Sequence, residues 1–216
     1  MKAVTKRKAT ESANAAGARE ALVNAAKVLF AKRGFDGVTV REIAEAAGVN
    51  FSLVRYHFGD KVGVYKACLA QYGNARYKSA VRILEPVKTT EEFKIRLKII
   101  INEIIDSLLD EPDISRMMMR EMESEEPLAE EIVKETLVKM AKTFVDFFTQ
   151  AQAGGIVKKE INALFLTQII QLTLSHIVLT DVARSRFFNQ SIKNKAGKSM
   201  LIENIYELLI DGAIKK

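Results

Sequence analysis

Residues 39–61 read TVREIAEAAGVNFSLVRYHFGDK, and the pattern predicts two short helices joined by a tight turn. Thr39 and Glu42 have the spacing of a capping box, in which the hydroxyl accepts a backbone N–H and the carboxylate reaches back. Gly48 follows the first helix, where a left-handed residue is least strained for glycine. Asn50 is a favourable cap for the second helix. The stretch therefore predicts a helix-turn-helix motif.

The second helix, about residues 51–58, predicts a surface that can contact DNA. Val54 and Phe58 are spaced i, i+4 and can bury one face against the first helix. The other side chains then point outward, and a short helix of this kind fits the major groove. Lys61 begins the next helix, where backbone N–H groups favour an anion such as phosphate. The residues expected to contact DNA are Thr39, Arg41, Asn50, Phe51, Ser52, Leu53, Arg55, Tyr56, His57 and Lys61.

The stretch from about Arg19 to Lys66 resembles the N-terminal domain of TetR/AcrR-type transcriptional regulators. The ending YHFGDK at 56–61 is its most specific part, because many bacterial helix-turn-helix proteins share the Ala-Gly-Val turn but few share this ending. Arg55 departs from the family pattern, since many members carry tyrosine there, so base contacts are not transferred from the family. The matching residues are Ala25, Leu29, Phe30, Gly34, Phe35, Thr39, Val40, Ile43, Ala44, Ala47, Gly48, Val49, Tyr56, His57, Phe58 and Lys61.

The resemblance implies an all-α fold with an N-terminal three-helix helix-turn-helix domain and a C-terminal helical domain for ligand binding and dimerisation. It also implies a homodimeric repressor that binds a near-palindromic operator in double-stranded DNA and leaves it when a small-molecule inducer binds. The corresponding parts of this chain are a basic flexible tail at 1–16, the helix-turn-helix domain at 17–66 and the ligand-binding and dimerisation domain at 67–216.

Composition favours a helical intracellular protein. The 216 residues are 48% hydrophobic and include only 3 Pro, and long apolar patterns of period 3.6 favour helices. The single Cys68 excludes an internal disulfide and is typical of a reducing compartment. No apolar run is long enough for a membrane span, and the N-terminus lacks the apolar segment of a signal peptide. We therefore expect a cytoplasmic protein without a membrane partner.

Positive charge is concentrated in the N-terminal third of the chain. Residues 1–70 hold 12 Lys/Arg and 6 Asp/Glu, whereas residues 71–216 hold 21 of each. Attraction to phosphate supplies much of the non-specific affinity of DNA-binding proteins, so the excess lies where DNA contact is expected. Basic tails are also common as solvated segments. The roles of residues 1–16 and of the basic loop at 184–198 are therefore open at this point.

Apolar spacing predicts about nine helices. The first covers about 17–33, the second and third form the 39–61 motif, the fourth starts near Asp60 and the fifth near Thr90. The sixth covers 113–123, the seventh runs from Pro127 to Ala153, and the eighth and ninth cover 162–184 and 199–211.

The eighth and ninth predicted helices carry apolar residues on more than one face. Helices of this kind must be buried on two sides, so we expect a homodimer through these two helices. Leu172 and Ile205 are representative apolar residues of this expected interface. A monomer whose core buries both helices is the alternative.

The sixth predicted helix suggests a ligand gate, because it is short, rich in Met and bracketed by Pro112 and Pro127. Thioethers adapt to varied apolar shapes. We expect an inducer among the fourth to eighth helices, in a cavity on the order of several hundred Å³, with the fourth helix coupling it to DNA. The alternative is that these side chains fill the core. The residues expected near the ligand are Tyr72, Met117, Met118, Phe147, Gln171 and His176.

Catalytic signals are absent from the sequence. It has no Gly-rich phosphate loop, no HExxH and no serine elbow, and its 2 His and 1 Cys have no diagnostic spacing. The acidic group at 121–131 is expected to be a solvated helix junction rather than a metal site. We therefore expect no enzyme activity, no cofactor and no metal. The alternatives to a ligand-gated repressor are a ligand-independent DNA-binding protein and a helical small-molecule sensor or enzyme without a DNA role.

Overall fold

Helices account for the architecture, and within residues 2–214 the β-structure is one antiparallel bridge between Val157 and Ile214. The computed structural model describes the backbone of residues 2–214 and the side chains of residues 17–208 and 210–214. The predicted all-α fold is confirmed. The helices are α1 (Lys2–Arg33), α2 (Val40–Ala47), α3 (Ser52–Phe58), α4 (Lys61–Ile83), α5 (Thr90–Asp110), α6 (Pro112–Glu123), α7 (Glu130–Val133), α8 (Lys139–Ala153), α9 (Ala163–Leu179), α10 (Asp181–Phe188), α11 (Lys195–Ile205) and α12 (Asp211–Ala213), with π-helical segments at Lys134–Val138 and Tyr206–Ile210.

Helix α1 begins at Lys2, whereas the sequence predicted a helix from about residue 17. The predicted flexibility of the basic tail at 1–16 stays a prediction. The difference has a physical reason. Residues 2–16 are rich in Ala and Lys and contain neither Pro nor Gly. Once residues 17–33 have formed a helix, each further residue adds one hydrogen bond without a new nucleation cost. Residue 1 lies outside the described residues.

The eighth predicted helix is divided at Thr180, and α9 and α10 meet at an angle of 60°. The Thr180 hydroxyl donates to the His176 carbonyl at 2.5 Å. Asp181 begins α10 and is buried, and its carboxylate accepts from the Ile192 N–H at 2.8 Å. Within the described residues no single helix is long and apolar enough to cross a membrane; α9 and α10 reach that length and composition together, as a bent pair.

The chain divides into two compact units. Unit 1 contains Met1–Tyr72 and Asp113–Val133, and unit 2 contains Gly73–Pro112 and Lys134–Lys216. The division falls within helix α4, whose residues up to Tyr72 belong to unit 1 and whose residues from Gly73 belong to unit 2. The grouping of residues 113–133 with the N-terminal helices was not predicted, and the functional limits 17–66 and 67–216 stay a prediction.

Unit 1 holds α6 against the first half of α4 through buried hydrogen bonds. The Tyr65 hydroxyl donates to Glu121 Oε1 at 2.8 Å, and the Ala129 N–H donates to Glu121 Oε2 at 2.8 Å. The Tyr72 hydroxyl lies 2.7 Å from Ser115 Oγ. Buried polar groups are stable when they are paired in this way. The core of the helix-turn-helix part is formed by Leu22, Phe30, Ile43, Val54 and Leu69, all with 0% exposure.

Unit 2 is built around an aromatic cluster shared by α5 and α8. The rings of Phe93 and Phe147 stack with centroids 5.2 Å apart and planes 4° apart, and Phe148 lies 5.9 Å from Phe147. In α4, Gly73 packs closely against Thr136, where an added Cβ would lie 2.5 Å from Thr136 Oγ1. The second half of α4 is therefore tightly packed on the π-helical segment Lys134–Val138.

Candidate nucleic-acid interface

The start of α2 is fixed by the predicted capping box. The Glu42 N–H donates to Thr39 Oγ1 at 3.3 Å, and the Thr39 N–H donates to Glu42 Oε2 at 2.8 Å. Arg33, at the end of α1, donates to Glu42 Oε1 at 2.8 Å, a contact that the local sequence pattern did not indicate. Hydrogen bonds from Arg33 and Thr39 lower the pKa of Glu42 to about 2. The contribution of these hydrogen bonds to the stability of the fold is fully present above the ordinary pKa of glutamate, about 4.3. It is lost as the pH falls toward 2, where the Glu42 carboxylate is protonated in the folded chain.

The turn between α2 and α3 has the predicted geometry. Gly48 is left-handed, with φ 66°, and the Gly48 and Val49 N–H groups donate to the last carbonyls of α2 at 3.1 Å each. Asn50 Oδ1 accepts from the backbone N–H and from the hydroxyl of Ser52, at 2.8 Å each. Asn50 thereby satisfies a donor of the first turn of α3, one position before Phe51, the residue that directly precedes the helix.

Helix α3 presents one buried and one exposed face. Val54 is fully buried, whereas Phe51 is 58% and Tyr56 77% exposed. Ser52 and Arg55 are also exposed, and Leu53 is half-buried. An arginine, a tyrosine and a serine thus stand together on the outer face of a seven-residue helix. Of the other predicted contacts, Thr39, Arg41 and Asn50 are exposed as well.

Lys61 is held by the α1–α2 connection in addition to its place at the start of α4. Its Nζ donates to the Phe35 carbonyl at 3.1 Å and lies 4.2 Å from the centroid of the Phe35 ring. Asp60 Oδ1 accepts the Gly63 N–H at 2.8 Å, which caps α4. A Cβ at Gly63 would lie 1.9 Å from the Phe58 carbonyl oxygen, so α3 and α4 approach closely here.

His57 differs from the other residues predicted to contact DNA. It is half-buried, its Nε2 is shielded from solvent without a hydrogen-bond partner, and its ring lies 4.9 Å from that of Tyr56. The DNA-binding role of His57 stays a prediction. Helical spacing places His57 beside the outward residues, and its ring also lies 6.0 Å from that of Phe58.

The six residues predicted to bind a ligand are divided equally between unit 1 and unit 2. Met117 and Met118 are buried in α6 of unit 1, and Tyr72 of the same unit is paired with Ser115. Phe147 belongs to the aromatic cluster of unit 2. On α9, Gln171 is half-buried with an unpaired Nε2. His176, expected inside an apolar core, is exposed, because it lies on the outer face of α9. The ligand-binding role of these residues stays a prediction.

Unit 2 contains a partly open cavity that the sequence did not predict. Its volume is about 240 Å³, and an adjoining surface groove of about 520 Å³ shares two carboxylates with it, Asp106 and Asp110. The groove is otherwise formed by Leu109, Lys193, Asn194, Lys195 and Lys198. Among the residues whose side chains are described, no group of three or more His, Cys, Asp or Glu side chains could hold a metal ion. The cavity is lined by Arg76, Ser79, Ile100, Glu103, Ile104, Asp106, Ser107, Asp110, Glu111 and Met140.

Comparison with protein families supports the assignment of the N-terminal motif. Residues 22–68 match the model of bacterial regulatory proteins of the tetR family. This range contains α2, α3, the capping box and the Gly48 turn, and it ends in the first half of α4. The residues with the geometry described above are therefore those that the family model covers.

Two curated relatives and one solved structure are similar to this chain over different lengths. The regulator RutR of Escherichia coli K12, of the helix-turn-helix type, is 25% identical over 200 residues, which are 90% of this chain and 89% of RutR. The repressor BdcR of Escherichia coli K12 is 40% identical over 55 residues, 26% of this chain and 28% of BdcR. The structure of FadR from Bacillus subtilis in complex with stearoyl-CoA has a TM-score of 0.69 at 18% identity, and covers 89% of this chain and 98% of that chain.

Proposed function

The chain belongs to the TetR family of bacterial regulatory proteins, and on that premise we propose that it is a dimeric repressor that leaves its operator when a small molecule binds. Regulators of this family bind DNA operators and act as dimers. The observation that carries the proposal is the exposed face of α3, where Arg55, Tyr56 and Ser52 stand on a helix fixed at both ends.

Within this interface we assign base contacts to Arg55 and phosphate contacts to Tyr56. Arg55 is exposed near the middle of α3 and carries a fork of donors that matches the acceptors of guanine. The Tyr56 hydroxyl extends far from the core and suits a phosphate oxygen. The Lys61 ammonium group has three N–H donors, and one of them bonds the Phe35 carbonyl. We assign the other two to a phosphate. The surface is completed by Ser52, Leu53 and Phe51.

An Arg55→Ala variant is expected to lose sequence discrimination by about 1–3 kcal/mol at one base-pair position, because a bidentate contact to guanine is removed. Tyr56→Phe is the matched comparison. It removes one hydroxyl, so it should weaken binding to all sequences about equally. Lys61→Ala is less informative because it also removes the bond to Phe35. Fluorescence anisotropy on the operator and on single-base variants measures both effects. Unchanged preference in Arg55→Ala would contradict the assignment of α3 as the reading helix.

We place the dimer interface on α9 and the C-terminal helical region, as expected for the eighth and ninth predicted helices. Leu172 is 64% and Leu208 74% exposed, and Phe165 of α9 is exposed as well. Large apolar side chains this exposed are typical of surfaces that contact a partner. A twofold interface uses the same patch on both subunits, and it would match the symmetry of a near-palindromic operator.

For the ligand we propose the cavity of unit 2 rather than the six residues predicted from sequence. Its lining combines the apolar residues Ile100, Ile104 and Met140 with charged side chains, a combination typical of small-molecule sites. The stearoyl-CoA in FadR indicates that this fold can accommodate a ligand. The cavity, at about 240 Å³, is smaller than the lower limit for drug-sized ligands, about 300 Å³, and the adjoining groove would have to provide the remaining room.

An Ile104→Trp variant is expected to retain operator binding but to lose release by ligand, because the indole fills the cavity. The matched control is Ile99→Trp, on the exposed face of the same helix and outside the cavity lining. Stearoyl-CoA, a free fatty acid and tetraphenylphosphonium serve as probes of different charge. The readouts are the midpoint of thermal unfolding and retardation of operator DNA. If a probe releases wild type and Ile104→Trp equally well, the ligand lies elsewhere.

A further inference from the structure

Helix α10 of unit 2 presents aromatic side chains and positive charge to solvent. Phe187 is 69% and Phe188 74% exposed, and the Arg186 guanidinium lies 5.3 Å from the centroid of the Phe187 ring. The sequence from 182 to 202 contains five Lys or Arg and no Asp or Glu. Apolar side chains this exposed are typical of surfaces that contact a partner. Arg186, Phe187 and Phe188 form what we call the basic patch.

Two of these five cations are paired within the protomer. Arg184 Nη2 donates to the Ile177 carbonyl at 3.2 Å, and Lys198 Nζ donates to Asp106 at 2.6 Å. Arg186, in contrast, is exposed beside the phenyl rings. The basic patch therefore combines apolar area with a cation, and a partner that fits it offers an apolar side chain next to a carboxylate.

The C-terminal helical region presents a surface of that kind. Residues with helical spacing along α11 and the π-helical segment Tyr206–Ile210 are exposed, and three of them are acidic. Residues 199–214 contain no Lys or Arg. Leu208, at 74% exposure, adds an apolar side chain next to Glu207. This acidic stripe consists of Met200, Glu203, Asn204, Glu207, Leu208 and Asp211.

The chain from α11 to Ala213 runs in the direction opposite to α9. The Ile192 N–H donates to Asp181 Oδ1 at 2.8 Å, which holds the approach to α11 where α9 ends and α10 begins. At the other end, the Lys158 N–H donates to the Ala213 carbonyl at 2.9 Å, a few residues before α9 begins. Helix α9 has 17 residues, so at 1.5 Å per residue about 25 Å separates its two ends.

The exposed side chains therefore change in charge along the direction of α9. Glu207 and Asp211 lie toward the end where α9 begins, and the basic patch follows the end where α9 finishes. Helix α9 itself contains no Asp, Glu, Lys or Arg, and its exposed Leu172 lies in the proposed dimer interface. A twofold axis that crosses α9 sets each end of one subunit beside the opposite end of its partner. An axis along α9 would bring like charges together, which is unfavourable.

We propose that the basic patch of α10 binds the acidic stripe of a second copy of this chain, in a dimer whose two α9 helices are antiparallel. Arg186 pairs with Glu207 of the partner subunit, and Phe187 and Phe188 cover Leu208 of the partner subunit. The twofold axis repeats this contact, so the dimer contains it twice. The inference rests on the proposed dimer, and it adds the orientation of the subunits and a contact made by α10.

The test reverses the two charges separately and together. Arg186→Glu and Glu207→Arg each place like charges opposite each other at two points of the dimer, whereas the double variant restores both pairs with the opposite polarity. Both residues are exposed, so the variants should fold, which circular dichroism checks. The matched control is Lys98→Glu, which makes the same charge change as Arg186→Glu at an exposed position of α5. Sedimentation equilibrium at low and high salt gives the dissociation constant of the dimer.

Each single reversal is expected to raise the dissociation constant at low salt on the order of tenfold or more. The double variant should recover most of the wild-type affinity, and Lys98→Glu should leave it unchanged. The differences should become smaller at high salt because exposed charges are screened. Wild-type affinity in Arg186→Glu, or a double variant that dimerises as weakly as the single ones, would overturn the proposal. A wild-type chain that sediments as a monomer would instead contradict the proposed dimer itself.

Cross-linking tests the orientation of the subunits. A chain with Arg186→Cys and Glu207→Cys should form covalent dimers with a short bifunctional maleimide, and Arg186→Cys alone should not. The native Cys68 is buried and therefore shielded from the reagent. Efficient cross-linking of Arg186→Cys alone would place the two basic patches together and overturn the antiparallel arrangement.

Flotation with phosphatidylglycerol vesicles tests an anionic membrane as the other occupant of the basic patch. Under the proposal, wild type and Arg186→Glu should bind these vesicles equally weakly. If Arg186→Glu abolished strong vesicle binding of the wild type and left the dimer unchanged, the membrane would be the occupant and the proposal would be wrong.

Discussion

A Leu172→Glu variant is expected to sediment as a folded monomer at micromolar concentration and to lose operator binding. Leu172 is 64% exposed on α9, so a carboxylate there is solvated in the isolated chain and leaves the fold intact. A twofold interface contains the same residue from both subunits, so one substitution introduces two carboxylates into it. Burying an unpaired charge against an apolar surface costs on the order of several kcal/mol, enough to dissociate a dimer of ordinary size.

The matched control for this variant is Ile95→Glu, which changes a similarly exposed isoleucine on α5, at 59% exposure. It should remain dimeric and bind DNA, because α5 lies outside the proposed interface. Sedimentation velocity gives the oligomeric state, and far-ultraviolet circular dichroism gives the helix content. A Leu172→Glu protein that stays dimeric would place the interface elsewhere on the chain.

The comparison of Leu172 with Ile205 shows what apolar periodicity leaves undetermined. Both belong to helices that are hydrophobic on more than one face, and the sequence treats them as equivalent interface residues. Ile205 is 3% exposed and belongs to the core cluster of unit 2, so Ile205→Glu would unfold the chain rather than separate subunits. Periodicity indicates that two faces are apolar, but which face meets the chain's own core depends on packing between distant helices.

The helix-turn-helix motif was predicted accurately because its signals are local. The Thr39–Glu42 box and the Gly48 turn each depend on residues within three or four positions, and both have the expected geometry. The bond of Arg33 to Glu42 joins two helices across nine positions and has no such pattern. Likewise, the cavity of unit 2 gathers α4, α5 and α8, and no motif marks its lining.

The ligand prediction shows the same limit at single residues. Met117 and Phe147 have apolar character that suits either a core or a pocket, and both are buried. His176 lies in an apolar helix, as predicted, but its side chain is on the exposed face of that helix. Side-chain type is therefore informative about which residues can be buried. The position of a cavity depends instead on how distant helices pack against one another, which no local pattern reveals.

A Phe147→Ala variant separates the core role of this side chain from a ligand-binding role. Phe147 is 2% exposed, stacks on Phe93 and contacts Phe148. Removing a buried phenyl ring costs the transfer free energy of its atoms and leaves a cavity, about 3–5 kcal/mol in total. The free energy of unfolding should fall by that amount, a large fraction of the stability of an ordinary domain.

Phe51→Ala provides the matched control, because it removes the same ring from a position that is 58% exposed on the proposed DNA-facing surface. Its free energy of unfolding should change by no more than about 0.5 kcal/mol, while its affinity for DNA decreases. The chain has no Trp, so urea unfolding is followed by circular dichroism, at one protein concentration because dimerisation contributes to stability. If Phe147→Ala retained wild-type stability and lost only its response to ligand, the ring would belong to a binding site, and the stacked cluster would not be the structural core of unit 2.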